Sequence, residues 1–327
     1  MTRVWLRSWN ALAHRKSRTG TLVALMTLVA TQLAAGDFAY VTNQNSQELS
    51  ILDLDARTET ARISIPGKPA GVAVDLKGHV FTVSPDSKVV RRLDAAGTIL
   101  AAAQLDGGPI GVAYDARQNL IFVSDWYNAR IWVMDAETLQ TLQVLETGSA
   151  PAGLTVSEDG QWLASADRDS DQVSIFDLAT LDLHLRPTVG ARPFGLRFAP
   201  DGRLFVANVG TNDMTVLDPV SGEVLGTVKT GERPYGVAFA LGRAFVTNQY
   251  GDSVSVIDLA TLETITTIDV GEYPEGIDTT SDGATIVVAN WFSNTVSLID
   301  AATLEVVGEI ETADGPRAFG TFIQQRN

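Results

Sequence analysis

One phrase, a short hydrophobic strand ending in aspartate, recurs through the chain at intervals of 40–42 residues, with its aspartates at Asp53, Asp94, Asp135, Asp177, Asp218, Asp258 and Asp300. A unit of this length cannot bury both its faces alone, so neighbouring copies must cover one another. That restricts the chain to a propeller or a solenoid. In each copy the aspartate opens a turn such as "DLATLE" or "DPVSGE". Its carboxylate is expected to cap nearby backbone N–H groups, a scaffold role rather than a chemical one.

The alternation inside each copy sets the secondary structure. "SVSVIDL" from Ser253 and "TVSLIDA" from Thr295 place apolar residues at every second position, the period of strands. The fifth copy divides into four strands at Gly195–Ala199, Leu204–Ala207, Met214–Leu217 and Val224–Lys229, separated by Gly, Asn and Pro turns. After Asp37 the chain opens at Phe38–Thr42 with the second strand of a unit, and it ends at Phe319–Ile323 with an orphan first strand. The expected fold is all-β: a seven-bladed β-propeller of four-stranded antiparallel blades. Pairing of the C-terminal innermost strand with the N-terminal strands closes the ring.

The same stretches carry a family resemblance. "AYVTNQNSQELSILDLDARTETARISIPGKPAGVAVD" from Ala39 and "AFVTNQYGDSVSVIDLATLETI" from Ala244 resemble the YVTN-type β-propeller repeat over nearly all of Asp37–Gln325. The second copy, "FTVSPDSKVVRRLDAAG", departs most from the pattern. The resemblance implies the propeller shape and an exported compartment, without naming a reaction. Similar repeats occur in periplasmic quinoprotein amine dehydrogenases and in accessory proteins of quinone-cofactor pathways.

Residues 1–36 differ from the rest. Arg3, Arg7, Arg15, Lys16 and Arg18 precede any acid, and the apolar run Thr21–Ala35 ends in small residues. This is the layout of a secretory signal, followed by a propeller domain over residues 37–327. An uncleaved anchor is the alternative, although the run is short of the roughly 20 residues of a bilayer span. The expected location is therefore the periplasm or the exterior, with no membrane insertion once the signal is removed. The whole chain carries a formal charge of −15, and the body beyond the basic front is more acidic still. Such a surface repels nucleic acid and favours solubility or a basic partner. With no cysteine, the core must hold without disulfides, and thiolate or CxxCH haem ligation is excluded.

In a propeller, the loops between second and third strands and the lead-ins to the innermost strands emerge on one face. The residues that vary between copies gather there. Asn43, Ser84, Asp125, Asp167, Asn208, Asn248 and Asn290 begin the first set of loops. They are read as a polar collar around the channel, or simply as good turn formers. Beyond them, Trp126, Tyr127, Tyr250, Trp291 and Phe292 join Lys68, Arg192, Phe194, Arg233, Tyr235, Tyr273, Glu275 and Arg317 from the lead-ins. Aromatics interleaved with arginines have the composition of a recognition surface.

Catalytic sets are sparse. Of the two histidines after residue 36, His79 falls on the opposite face and His184 on an outermost strand, which disfavours a histidine metal site or a Ser-His-Asp triad. Asp167, Asp169 and Asp171 alternate as in a calcium loop but lack its glycine and distal glutamate. Glu275 and Asp278 are the candidate pair for acid–base work, and a hydrolytic site at the channel mouth would centre on Glu275 with Arg233 or Arg317 as anion stabiliser. Three functions follow. The first is a non-enzymatic binding or scaffold protein for a periplasmic or extracellular protein, peptide or polymer, with no cofactor of its own. The others are an accessory to a periplasmic quinoprotein or redox system and a hydrolase or lactonase at the channel mouth.

Overall fold

The computed structural model describes residues 37–324; the expected signal segment lies outside the described residues. The chain forms seven sheets in sequence order, six of them following the plain order of a propeller blade. The fifth blade runs Pro193–Phe198, Leu204–Asn208, Asp213–Leu217 and Val224–Lys229, within two residues of the expected strands. Ring closure is also as expected. Tyr40 N donates to Phe322 O at 2.8 Å and Gln324 N to Phe38 O at 3.0 Å, so the C-terminal segment fills the inner edge of blade one. The strand Phe319–Thr321 also pairs in parallel with Gly71–Ala73, the innermost strand of blade two. Among the described residues no helix is long and apolar enough to cross a membrane.

The core lies between blades rather than inside any one of them. Blades three and four share Phe122, Ile131, Leu163 and Phe176; blades five and six share Phe205, Val216, Val246 and Ile257. The second strand of each blade is covered on both sides, so its residues are buried in succession without alternation, as in Phe38–Asn43, where all but the half-buried Phe38 are buried. Outermost strands keep one wet face, and Thr58–Ser64 alternates exposed and half-buried. Burying an aromatic such as Phe245 stabilises by roughly 1.5–3 kcal/mol, repeated at Tyr40, Phe81, Phe122 and Phe205.

The word "YVTN" is thus a set of four jobs. Its first residue (Tyr40, Phe245) and its valine pack between blades. Its third is a staple. Thr247 Oγ1 takes the Gly236 N–H of its own blade at 2.9 Å and donates to Glu275 O of the next at 3.0 Å. Thr42 and Ser124 link their blades in the same way. Its fourth pins the loop that follows. The turn aspartates cap as expected: Asp300 Oδ1 accepts from Ala302 N and Thr303 N at 2.9 and 2.8 Å.

Candidate functional site

The site begins with a backbone irregularity. Five of the Pro-x-Gly lead-ins interrupt the innermost-strand pairing, with register shifts at Pro109/Val112, Pro151/Leu154, Pro193/Leu196, Pro234/Val237 and Pro274/Ile277. A bulge leaves its residue unpaired and re-aims the side chain. Here the re-aimed residues include Ala152, Phe194, Tyr235 and Glu275. The residues just before the prolines, Lys68, Ala150, Arg192, Arg233 and Tyr273, hold φ of 53–60°. This left-handed backbone costs side-chain-bearing residues about 1–2 kcal/mol each. Hydrogen bonds from the preceding blade hold three of them: Arg192 N to Asp171, Arg233 N to Asn212 and Tyr273 N to Asp252, all within 2.9 Å.

Three layers result on this upper face. The innermost is an aromatic plug of Phe194, Tyr235 and Phe319 with Ala152, against which Trp126 packs. Ring centroids lie 4.3 Å apart for Phe194–Tyr235 and 5.1 Å for Phe194–Phe319. Beneath it a channel of about 100 Å³ runs between the innermost strands, lined by residues including Tyr114, Thr155, Arg197, Glu275 and Thr321. Phe194 and Tyr235, expected on the docking surface, lie inside this plug because the bulge turns them inward.

The second layer is a buried polar cluster. Gln249 Nε2 donates to Glu275 Oε1 at 2.6 Å. Arg317 donates through Nη2 to Tyr235 OH at 2.5 Å and through Nη1 to Gln44 Oε1 at 3.2 Å. Arg317 Nε and Glu275 Oε2 form an ion pair at 3.1 Å, yet neither atom completes a hydrogen bond. Burial pushes the Glu275 carboxyl up, while Arg317, Gln249 and Arg233 pull the other way. Burial likewise pushes the Tyr273 phenol up to about 12.

The outer layer is an aromatic belt. Tyr273 packs on Tyr250, Trp291 and Phe292 with centroids 5.4, 5.6 and 4.7 Å away, and the Arg233 guanidinium sits 4.3 Å over the Tyr250 ring. Tyr250 and Phe292 are 48% and 57% exposed, and Tyr127 on blade three is 74% exposed. Arg192 is exposed beside them, and Lys68 pairs with Asp86 at 3.5 Å. The exposed acids Glu232, Glu272 and Asp314 stand between these groups.

The seven collar positions are fully buried and absent from the channel wall. Each is occupied within its own blade. Asn248 Nδ2 donates to Ser253 and Ser255, and Asn290 Nδ2 to Thr295 and Ser297. Asn43 reaches Ser50, Asn208 reaches Asp213 and Thr215, and Ser84 accepts from Arg91. Asp125 and Asp167 accept the N–H groups of Gly108 and Gly148 at 2.8 and 2.9 Å.

Asp167, Asp169 and Asp171 do not converge, because a 3-10 turn at Arg168–Ser170 breaks their alternation. Asp167 points into its blade, Asp169 pairs with Arg168, and Asp171 caps Arg192 N. Among the described residues no group of three His, Cys, Asp or Glu side chains is gathered as metal ligands. Asp278 is committed elsewhere, to Arg197 at 2.8 Å and to Phe322 N and Ile323 N. Sequence reasoning missed Gln44 and Gln249. Their signal was the shared "TNQ", which only blades one and six carry.

Known proteins resemble the chain chiefly in shape. A functionally unknown protein from Desulfotomaculum acetoxidans DSM 771 superposes with a TM-score of 0.77 at 15% identity, over 89% of this chain and 100% of that one. The Kuenenia stuttgartiensis hydrazine synthase gives 0.69 at 15% identity, covering 77% of this chain and 89% of that one. Dihydro-heme d1 dehydrogenase NirN in complex with DHE gives 0.64 at 16%, covering 86% and 74%. At such identities the likeness is one of fold. In sequence, NHL repeat-containing protein 2 of Bos taurus is 33% identical over 94 residues, 24% of this chain but only 13% of that protein's length. A family model described as YNCE-like beta-propeller matches residues 27–325, and the chain belongs to that family.

Proposed function

We propose that the propeller is a non-catalytic binding module that docks a basic periplasmic or extracellular protein on its upper face, with Tyr250 and Phe292 at the centre of contact. The observation carrying this reading is the belt itself: two large aromatics about half exposed, backed by packed rings and a stacked arginine. Aromatics and arginines dominate the energy of protein interfaces, and acids such as Glu232 and Glu272 at the rim favour a basic partner. The buried Glu275–Arg317 pair is engaged by protein groups rather than by a nucleophile, which supports binding over hydrolysis.

Site-specific photocrosslinking tests the reading. A photoreactive phenylalanine at Tyr250, in protein expressed in an exporting host, is expected to give a discrete adduct that the same group at Leu241 on the lower face does not. Replacing Phe292 by Ala is expected to reduce that adduct at least about tenfold, as for an interface hot spot. Equal labelling from both faces, or none from Tyr250, rejects the surface. The fold likeness to hydrazine synthase and NirN supports a second reading, in which the partner is a redox protein. A coloured adduct with visible absorbance separates the two.

A further inference from the structure

The seams between blades carry a repeated lock on the lower face. In four of them the carbonyl just after the turn aspartate is closed by a side chain from the preceding blade. Tyr40 OH donates to Ala95 O at 3.2 Å, Gln118 Nε2 to Leu178 O at 2.7 Å, Arg203 Nη2 to Leu259 O at 2.6 Å and Arg243 Nη1 to Ala301 O at 2.8 Å. Arg203 and Arg243 each stand five residues before their collar asparagine. Trp162 holds that place in blade four, five residues before Asp167. Among the described residues no side chain closes the matching carbonyl of blade five, that of Pro219. In this seam lies a groove of about 590 Å³, whose lining includes Trp162, Pro219 and Val220 with the acids Glu158, Asp159 and Asp218.

The groove calls for a cation with donors. Asp159 and Asp218 tie Oδ1 into their own turns, through Gln161 N at 3.0 Å and Val220 N at 2.7 Å, which fixes both carboxylates in place. Hydrogen bonds from Ser157 and Gln161 N hold the Asp159 carboxyl below its ordinary value, so it stays charged. Asp201, also on the groove wall, is already paired with Arg203. The next seam shows what fits such a place. Its groove, about 480 Å³, is lined by Arg203 and Leu259, and the guanidinium there is bound to both Asp201 and Leu259 O. We propose that the groove between blades four and five binds a guanidinium-bearing ligand, which supplies from outside the arm that Arg203 and Arg243 supply from within. Its planar head donates to Pro219 O and is neutralised by Asp159, Asp218 and Glu158. Its hydrocarbon stem lies along Trp162 and Val220. The site is independent of the aromatic belt on the upper face. The same chemistry has two sources: a free small guanidine, or an arginine side chain on an extended peptide.

Calorimetric titration of the exported protein with butylguanidine, butylamine, butylurea and acetyl-Ala-Arg-Ala amide tests the site. Saturable binding of butylguanidine is expected. Butylurea, planar but neutral, is expected to bind at least about tenfold more weakly, having lost the charge-assisted bonds. Butylamine, a point charge without the planar fork, is expected to bind on the order of threefold more weakly. Tighter binding of the peptide than of butylguanidine identifies an arginine on a partner chain; weaker binding identifies a free ligand. Glu158→Gln, at an exposed side chain, is expected to weaken binding about threefold. Val220→Lys, on the exposed rim, places a cation of the chain's own in the groove and is expected to abolish binding, with circular dichroism showing both variants folded. If butylguanidine does not bind, if butylurea or butylamine binds as tightly, or if Val220→Lys binds as the parent does, the site is rejected. Crosslinking from Tyr250 reports on the upper face alone, so either reading can fail without the other.

Discussion

At the scale of single residues, the buried collar shows one position solved with two charges. Burial opposes ionisation of Asp125, but hydrogen bonds from Gly108 N, Asn128, Arg130 and Tyr127 N together outweigh it and hold the carboxyl below its ordinary value. Asp167 is more deeply enclosed, with Gln172 where blade three has Arg130, and burial pushes its carboxyl up. The two signs predict opposite outcomes for one substitution. The depressed group at Asp125 contributes stability that is present above the unfolded value of 3.8 and is lost as pH falls through the folded value. Asp125→Asn is therefore expected to destabilise by about 2 kcal/mol at pH 7 and by much less near pH 3. The raised group at Asp167 contributes stability that is full below 3.8 and is lost as pH rises through its folded value. Asp167→Asn is therefore neutral or stabilising at pH 7, an arrangement the protein already uses at Asn248, where the side-chain oxygen accepts Gly231 N. Urea unfolding of both variants at the two pH values checks the pair, and a shared sign at pH 7 contradicts it. That Asn, Asp and Ser open these loops was legible in the sequence. Their burial was not, because the partner seven residues on, Ser50, Ser174, Thr215, Ser255 or Ser297, meets them only across a hairpin.

At the scale of the element, the innermost strand is where sequence reasoning succeeds and then stops. The Pro-x-Gly steps mark its start, and the strand follows as expected. The bulge they create is a backbone event with no side-chain periodicity. Nothing in the order of residues therefore said that Phe194 and Tyr235 turn inward while Tyr250 and Phe292 stay on the rim. Glycine is required at the third position because neighbouring innermost strands approach backbone to backbone. A methyl group on Gly153 would lie 2.6 Å from the Phe194 carbonyl oxygen, and one on Gly236 would lie 2.9 Å from that of Glu275. The alternative is to spread the ring. Gly153→Ala is thus expected to cost about 1–3 kcal/mol, as overpacking does. Thermal unfolding measures it; an unchanged midpoint would mean that the blades can part without penalty.

At the scale of the whole molecule, the ring depends on a clasp. Asp278 on the innermost strand of blade seven accepts Phe322 N and Ile323 N of the closing segment at 2.9 and 3.0 Å. From blade five, Arg197 reaches it across the lower end of the channel and also donates to Gly320 O at 3.3 Å. Six continuous blades and a split one were readable from spacing alone; this clasp was not, since Arg197 and Asp278 occupy strand positions with no marked counterpart in the other copies. Replacing one partner of a buried charge pair strands the other. Asp278→Asn is expected to destabilise by about 3 kcal/mol. It should also speed amide exchange at Phe322 and Ile323 ahead of the central blades, as followed by exchange mass spectrometry. Uniform exchange across the blades would show the clasp to be dispensable. The plug at the other end has its own consequence. Phe194, Tyr235 and Phe319 pack together at the upper end of the axle space, whose wall further down carries Arg197. A change to these rings would therefore alter the upper mouth while leaving the Arg197–Asp278 clasp in place, so the two poles of the wheel can be varied separately.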